Sequence, residues 1–197
     1  MLLKARAEHF VARISVGPPP RALSSPEHYT RTAIALHWIM AALVIAMIAL
    51  GQFMTEVPRQ TPLRGPLFNL HKSIGILVLL LILLRLVWRF RHPPPPLPAE
   101  VPAWTRRLAG ATHIAFYVLL ILQPLLGYTA SAFGQYGVAL FGIPLSSWGH
   151  EPALREPLLA AHHLVADLLV ILIGLHLLGV AWHVAAARNR LWRRMWG

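Results

Sequence analysis

The chain has no cysteine among its 197 residues. That excludes disulfides, iron–sulfur clusters, a thiolate ligand to haem, and covalent haem attachment through C-x-x-C-H. Any haem must be held without a covalent bond. Charge is scarce as well. Asp, Glu, Lys and Arg together make up 13% of the chain, about half the share of an ordinary soluble domain. No H-E-x-x-H occurs, so that zinc-hydrolase pattern is missing, although His-based zinc binding stays open.

What replaces charge is apolar sequence. Hydrophobic residues reach 56%, and mean hydropathy is +0.56. A bilayer span needs roughly 20 mainly apolar residues. Four segments qualify, at about 32–54, 67–90, 108–133 and 157–187. Four spans leave little chain for anything else. The expected architecture is all-α: one membrane four-helix bundle over 29–197, with no soluble catalytic module. Residues 1–28 read as a disordered basic tail without the apolar core of a signal peptide. The Pro93–Pro96 run ends the second span and should stiffen the link to the third. Pro124 should kink the third span, a feature membrane helices tolerate. The connection at about 134–156 holds Trp148 and His150, and a short interfacial helix is expected there.

A net charge of +11 invites a nucleic-acid partner, but the distribution of charge argues against one. Lys4, Arg6, Arg13, Arg21 and Arg31 precede span one. Arg85, Arg89, Arg91, Arg106 and Arg107 join spans two and three, and Arg188, Arg190, Arg193 and Arg194 follow span four. Only Arg59, Arg64, Lys72 and Arg155 fall on the other side. This is the positive-inside pattern. It predicts four transmembrane helices with both termini cytoplasmic, and no nucleic-acid binding.

Histidines stand inside these apolar runs. His162, His176 and His183 are 14 and then 7 residues apart, nearly whole numbers of helical turns, so they share one face. Intramembrane ionisable groups are costly and usually functional, and imidazole is a common haem ligand. The predicted topology sets depth. His71 opens span two and His162 opens span four, so both are periplasmic. His37 is early in span one and His176 lies about 21 Å beyond His162, so both are cytoplasmic. Two haems held by His71/His162 and His37/His176 would follow, spaced for electron transfer across the bilayer.

The sequence resembles the bacterial cytochrome b561 family. The resemblance rests on Leu36-His37-Trp38, His71-Lys72-Ser73-Ile74-Gly75, Arg85, Trp88-Arg89, His113, Tyr117, Pro124, Gly127, His162, Ile173-Gly174-Leu175-His176 and His183, and it covers roughly 28–195. It implies two non-covalent b haems with His37, His71, His162 and His176 as iron ligands. It also implies a multi-pass protein of the bacterial inner membrane. Some members are superoxide:ubiquinone oxidoreductases, which implies superoxide or another one-electron donor outside and ubiquinone as acceptor near the cytoplasmic face. The resemblance favours His183 as a quinone contact. Two other readings stay open: a haem-bearing anchor or shuttle for a separate dehydrogenase or hydrogenase, and a haem-free transporter.

Further residues carry two readings each. Arg85, 14 residues after His71 and on its face, either binds haem propionates or snorkels to headgroups. Lys72 binds a propionate, attracts an anion such as superoxide, or is a simple interfacial lysine. His113 and Tyr117 stand at the depth of His183, as further quinone candidates or packing residues. His163 lies about 100° from the His162/His176 face, so His162 is the better ligand. His163 is expected to pair with Asp167 at i, i+4, as a packing bond or as part of a proton path. Gly75, Gly127 and Gly174 mark close helix approach or room for a macrocycle. Met40, Met47 and Met54 form a packing stripe.

Overall fold

Each apolar run becomes one helix. The computed structural model describes residues 28–97, 101–185 and 191–196. In it α1 spans Arg31–Glu56, α2 Arg64–Arg91, α3 Ala103–Ala132 and α4 Pro152–Ala185. All four are long and apolar enough to cross a membrane. The basic tail falls outside the described residues, apart from His28. α3 begins earlier than its apolar run, because Trp104 to Ala109 continue the helix beyond the hydrophobic stretch. α4 also starts early: Pro152 takes its first position, where a missing N–H costs nothing, and Pro157 is absorbed in the second turn. At 34 residues α4 is about 50 Å long, more than the roughly 30 Å of hydrocarbon it must cross.

Successive helices pack in order: α1 on α2, α2 on α3, and α3 on α4. Among the described residues, α4 approaches neither α1 nor α2 as closely as it follows α3. The space between α4 on one side and α1 and α2 on the other, here called the slot, is bridged by side chains rather than by close backbone contact. Buried contacts come from Leu36 and Met40 of α1, Val78 and Ile82 of α2, and Val165 and Leu169 of α4. Met40 is thus core, as its stripe suggests, and the Met47 methyl would lie 3.8 Å from a Cβ at Gly75.

The end that carries most of the Arg residues, the basic end, is tied by hydrogen bonds between distant segments. Thr30 Oγ1 accepts the Ala33 N–H as the cap of α1 (3.2 Å) and the Trp88 indole N–H from α2 (2.9 Å). A 3-10 helix at Leu191–Met195 returns to α1, where Trp38 Nε1 donates to the Met195 carbonyl (2.8 Å). Arg194 donates to the carbonyls of Pro95 and Pro96 (2.9 and 3.0 Å). The prolines at 93–96 carry no N–H that could bond these carbonyls locally, so the carbonyls are available to it.

The opposite end carries a β-hairpin, β1 (Val138–Leu140) and β2 (Ile143–Ser146), where a short helix was expected. Leu140 pairs with Ile143, leaving Phe141 and Gly142 as the loop, with φ of 48° and 91°. Two positive φ values in a two-residue loop match the right-handed twist of a hairpin. The run Val138-Ala139-Leu140-Phe141-Gly142-Ile143 alternates too briefly for a helix and ends against Pro144. Also at this hairpin end, Arg64 caps the last carbonyls of α1, donating to Met54 (3.4 Å), Thr55 (3.2 Å) and Val57. A cation there complements the negative end of the helix dipole.

Candidate functional site

Two groups of imidazoles line the slot, one toward each end. At the hairpin end His71 of α2 faces His162 of α4, with ring centroids 6.3 Å apart and planes at 81°. An imidazole nitrogen binds a first-row metal at about 2 Å, so two such nitrogens on opposite sides of one ion stand about 4 Å apart. Each ring centre lies further back, which gives roughly the observed spacing.

His162 is held in one orientation. Its Nδ1–H donates to the Gln123 backbone carbonyl (2.9 Å). That fixes the proton on Nδ1 and leaves the lone pair on Nε2, the arrangement a metal-binding histidine needs. The Gln123 side-chain amide donates to that Nε2 at 3.3 Å. The ring can lie there only because residue 127 is glycine: a Cβ would come within 2.9 Å of His162 Cε1. Gly51 lies against His71 less tightly: a Cβ would stand 3.2 Å from Cε1, and the ring would have to give by a few tenths of an ångström. Two buried polar atoms in this region have no hydrogen-bond partner, His71 Nδ1 and Gln123 Oε1. Native interiors rarely leave such atoms unpaired without a functional reason.

At the basic end His176 of α4 faces His113 of α3, centroids 6.4 Å apart, with Phe116 edge-on to His176 at 5.5 Å. His113 Nδ1 donates to the Ala109 carbonyl (2.7 Å), so its Nε2 carries the lone pair. His37 of α1 belongs to the same cluster and lies near enough to His113, His176 and Arg85 for each to act on it electrostatically. Arg85 is turned inward and donates to His37 Nδ1 at 3.2 Å. A guanidinium only donates, so His37 holds its proton on Nε2 in this arrangement. The depth argument joins His37 to His176; the ring contact of His176 is instead with His113. Arg85 also lines a cleft at this end with Tyr29, Trp88, Arg89, Tyr117 and Met195. Arg89 sits over the Tyr117 ring at 5.8 Å.

Other singled-out residues fall as follows. His183 is half-buried two turns beyond His176. Lys72 donates to the Gly137 carbonyl (2.8 Å), so one of its three protons holds the hairpin. His163 and Asp167 are both exposed, and among the described residues no ion pair or hydrogen bond joins them. The spacing allows that pair but does not compel it; His163 instead lies edge-on to His162 at 6.0 Å. Gly174 has open space where a Cβ would go, unlike Gly127. Gln123 and Gly51 escaped the sequence reading. A lone amide beside Pro124 in an apolar span was the available signal for the first.

Among the described residues no three His, Asp or Glu side chains converge as they would around a bare metal ion. A macrocycle supplies four of an iron's ligands and asks the protein for two, which is what the facing pairs offer. The paired spacing, the glycines beside the rings and the orphaned nitrogen of His71 all fit haem at the hairpin end. The three-imidazole cluster supplies more than the two ligands needed at the basic end.

The family model described as prokaryotic cytochrome b561 matches residues 28–197. Among curated proteins, cytochrome b561 homolog 2 of Escherichia coli K12 is 37% identical over 131 residues, covering 66% of this chain and 66% of that protein. The probable superoxide oxidase CybB of Yersinia pestis is 26% identical over 172 residues, 85% of this chain and 94% of that protein. Cytochrome b562 of Cereibacter sphaeroides is 29% identical over 171 residues, again 85% and 94%.

Proposed function

The chain belongs to the prokaryotic cytochrome b561 family, and from that premise we propose that it carries electrons from superoxide outside a bacterial inner membrane to quinone at the cytoplasmic side, using two b haems. Membership makes it a multi-pass bacterial membrane protein and a b-type electron-transfer protein. The observation that carries the finer reading is the gathering of half-buried imidazoles into two groups, one toward each end of the slot.

In this reading His71 and His162 hold haem at the hairpin end, and His37 and His176 hold it at the basic end, where His37 would bind once Arg85 gives up its Nδ1. Bound haem b supplies one-electron exchange between ferric and ferrous iron. The chain's residues do the rest. The Gln123 carbonyl keeps the proton on His162 Nδ1, so Nε2 would serve as the ligand once the longer bond from the Gln123 amide is given up. Arg85, on leaving His37, would offer its charge to a haem carboxylate, and Lys72 adds positive charge that draws an anion to the outer side. His183 presents a ring nitrogen to a quinone carbonyl at the basic end. Two superoxide ions give up one electron each and leave as dioxygen; the quinone gains both electrons and two protons. The 26% identity to a probable superoxide oxidase over most of both chains supports this donor.

A second reading of the basic end has its own observation. The 6.4 Å spacing of His113 and His176 matches that of the hairpin-end pair, which favours His113 as the partner of His176.

The test of function is a reduced-minus-oxidised visible spectrum of detergent-purified protein, with haem counted per chain and superoxide as reductant. Two b haems reduced by superoxide and reoxidised by ubiquinone are expected. Two haems indifferent to superoxide would replace this donor with another, as in a shuttle or dehydrogenase anchor. A haem-free protein would overturn the account.

A further inference from the structure

From Leu108 to His150 the sequence contains no Asp, Glu, Lys or Arg. Part of that stretch is α3. The remainder, 133–150, lies outside the helices, and a connection bathed in water would ordinarily carry charge. Its apolar side chains are also turned outward. Tyr136, Phe141, Ile143, Leu145 and Trp148 are exposed by 87, 58, 66, 47 and 52%.

The segment has a defined conformation. Only β1 packs inward, where Val138 is buried. The Phe141 N–H donates to Ser73 Oγ (2.8 Å), Ser73 Oγ donates to the Asn69 carbonyl (2.8 Å), and Lys72 holds Gly137. Tyr128 Oη donates to Ser146 Oγ (3.1 Å), and the Trp148 N–H donates to the Ala132 carbonyl at the end of α3 (2.8 Å). The two strands pair with each other over three residue pairs, and their open edges suit the headgroup boundary rather than the hydrocarbon interior, where unpaired sheet edges are not tolerated. It begins and ends where α3 leaves and α4 enters the membrane-spanning region. Its exposed face therefore continues the lipid-facing surface of the helices.

We infer that this hairpin is a membrane-interface element: Phe141, Ile143 and Leu145 sit in the acyl–headgroup boundary of the leaflet at that end, with Tyr136 and Trp148 at headgroup level. Aromatic residues favour that level, and an uncharged apolar surface of this kind embeds there. Because the same hairpin is latched to Lys72 and Ser73, which follow His71, the bilayer steadies the end of α2 that presents His71. The inference concerns the lipid surface and stands independently of the electron donor.

The native absence of cysteine makes single-site labelling direct. Nitroxide is attached at Ile143→Cys, and separately at Phe141→Cys, in full-length protein reconstituted into phosphatidylethanolamine–phosphatidylglycerol vesicles. Collision with dioxygen, which concentrates in the bilayer, is compared with collision with a water-soluble nickel chelate by electron paramagnetic resonance. Leu83→Cys on α2 is the lipid-facing reference and His150→Cys the aqueous one. Both hairpin labels should favour dioxygen at least threefold more than the His150→Cys label does. Labels as open to the nickel chelate as that at His150→Cys would overturn the inference. Labels shielded from both reagents would overturn it too, because a protein surface would then be covering the hairpin.

Discussion

Gly127 and Gly174 are the same residue type in two packed helices, yet they face different surroundings. A methyl at 127 would meet His162 Cε1 at 2.9 Å, whereas a methyl at 174 meets nothing within 4 Å. Gly127→Ala should therefore turn the His162 ring off the Gln123 carbonyl and lower haem content toward one per chain, measured by pyridine haemochromogen assay. Gly174→Ala should leave haem content unchanged. Equal haem in the two variants would mean the ring's present orientation is not needed for binding. At the basic end, alanine at His37 and at His113 separates the two ligand readings. If His37 is the ligand, His37→Ala loses one haem and His113→Ala keeps two; the reverse result assigns His113. These roles are only partly legible in sequence. Histidine in an apolar run is visible at once, but which of three clustered imidazoles faces which depends on rotamers and neighbours from three helices.

Secondary-structure elements carry two devices beyond the spans. Ser73 is fully buried in α2 and is both donor to Asn69 and acceptor for Phe141. Ser73→Ala leaves the part-buried Phe141 N–H without its partner, which costs about 0.5–1.5 kcal/mol. For a chain of this size that corresponds to a fall in Tm of roughly 1–6 °C, and backbone exchange at 138–146 should quicken in deuterium-exchange mass spectrometry. An unchanged exchange rate would show that the remaining contacts suffice to seat the hairpin. This hairpin replaced an expected helix because the run is short and ends in Phe-Gly and Pro144, and local turn chemistry outweighed the overall helical character. The opposite end is secured differently, by Thr30, Trp38 and Arg194 joining segments far apart in sequence.

The whole molecule has a thin protein core. Among the described residues that carry a side chain, only Ile82, Ser73 and Ala132 are less than 2% exposed, and α4 stands off from α1 and α2. Groups that bind in that slot should contribute strongly to stability. A ligand present at a thousand times its Kd adds about 4 kcal/mol to the folded state, so haem depletion should lower Tm by roughly 8–16 °C, with recovery on adding hemin. A haem-depleted protein that melts at the same temperature would indicate that protein contacts alone complete the bundle.

The number of spans, their order, the absence of covalent cofactor chemistry and the set of candidate histidines came from sequence by itself. Those properties depend on composition and on helical periodicity, which are local along the chain. The slot, the rotation of Arg85 onto His37, the role of Gln123 and the contrast between Gly127 and Gly174 were decided by tertiary structure. Each of these depends on the separation and rotation of helices distant in sequence. Apolar periodicity constrains those quantities weakly in a membrane, because a lipid-facing and a partner-facing side chain are equally hydrophobic.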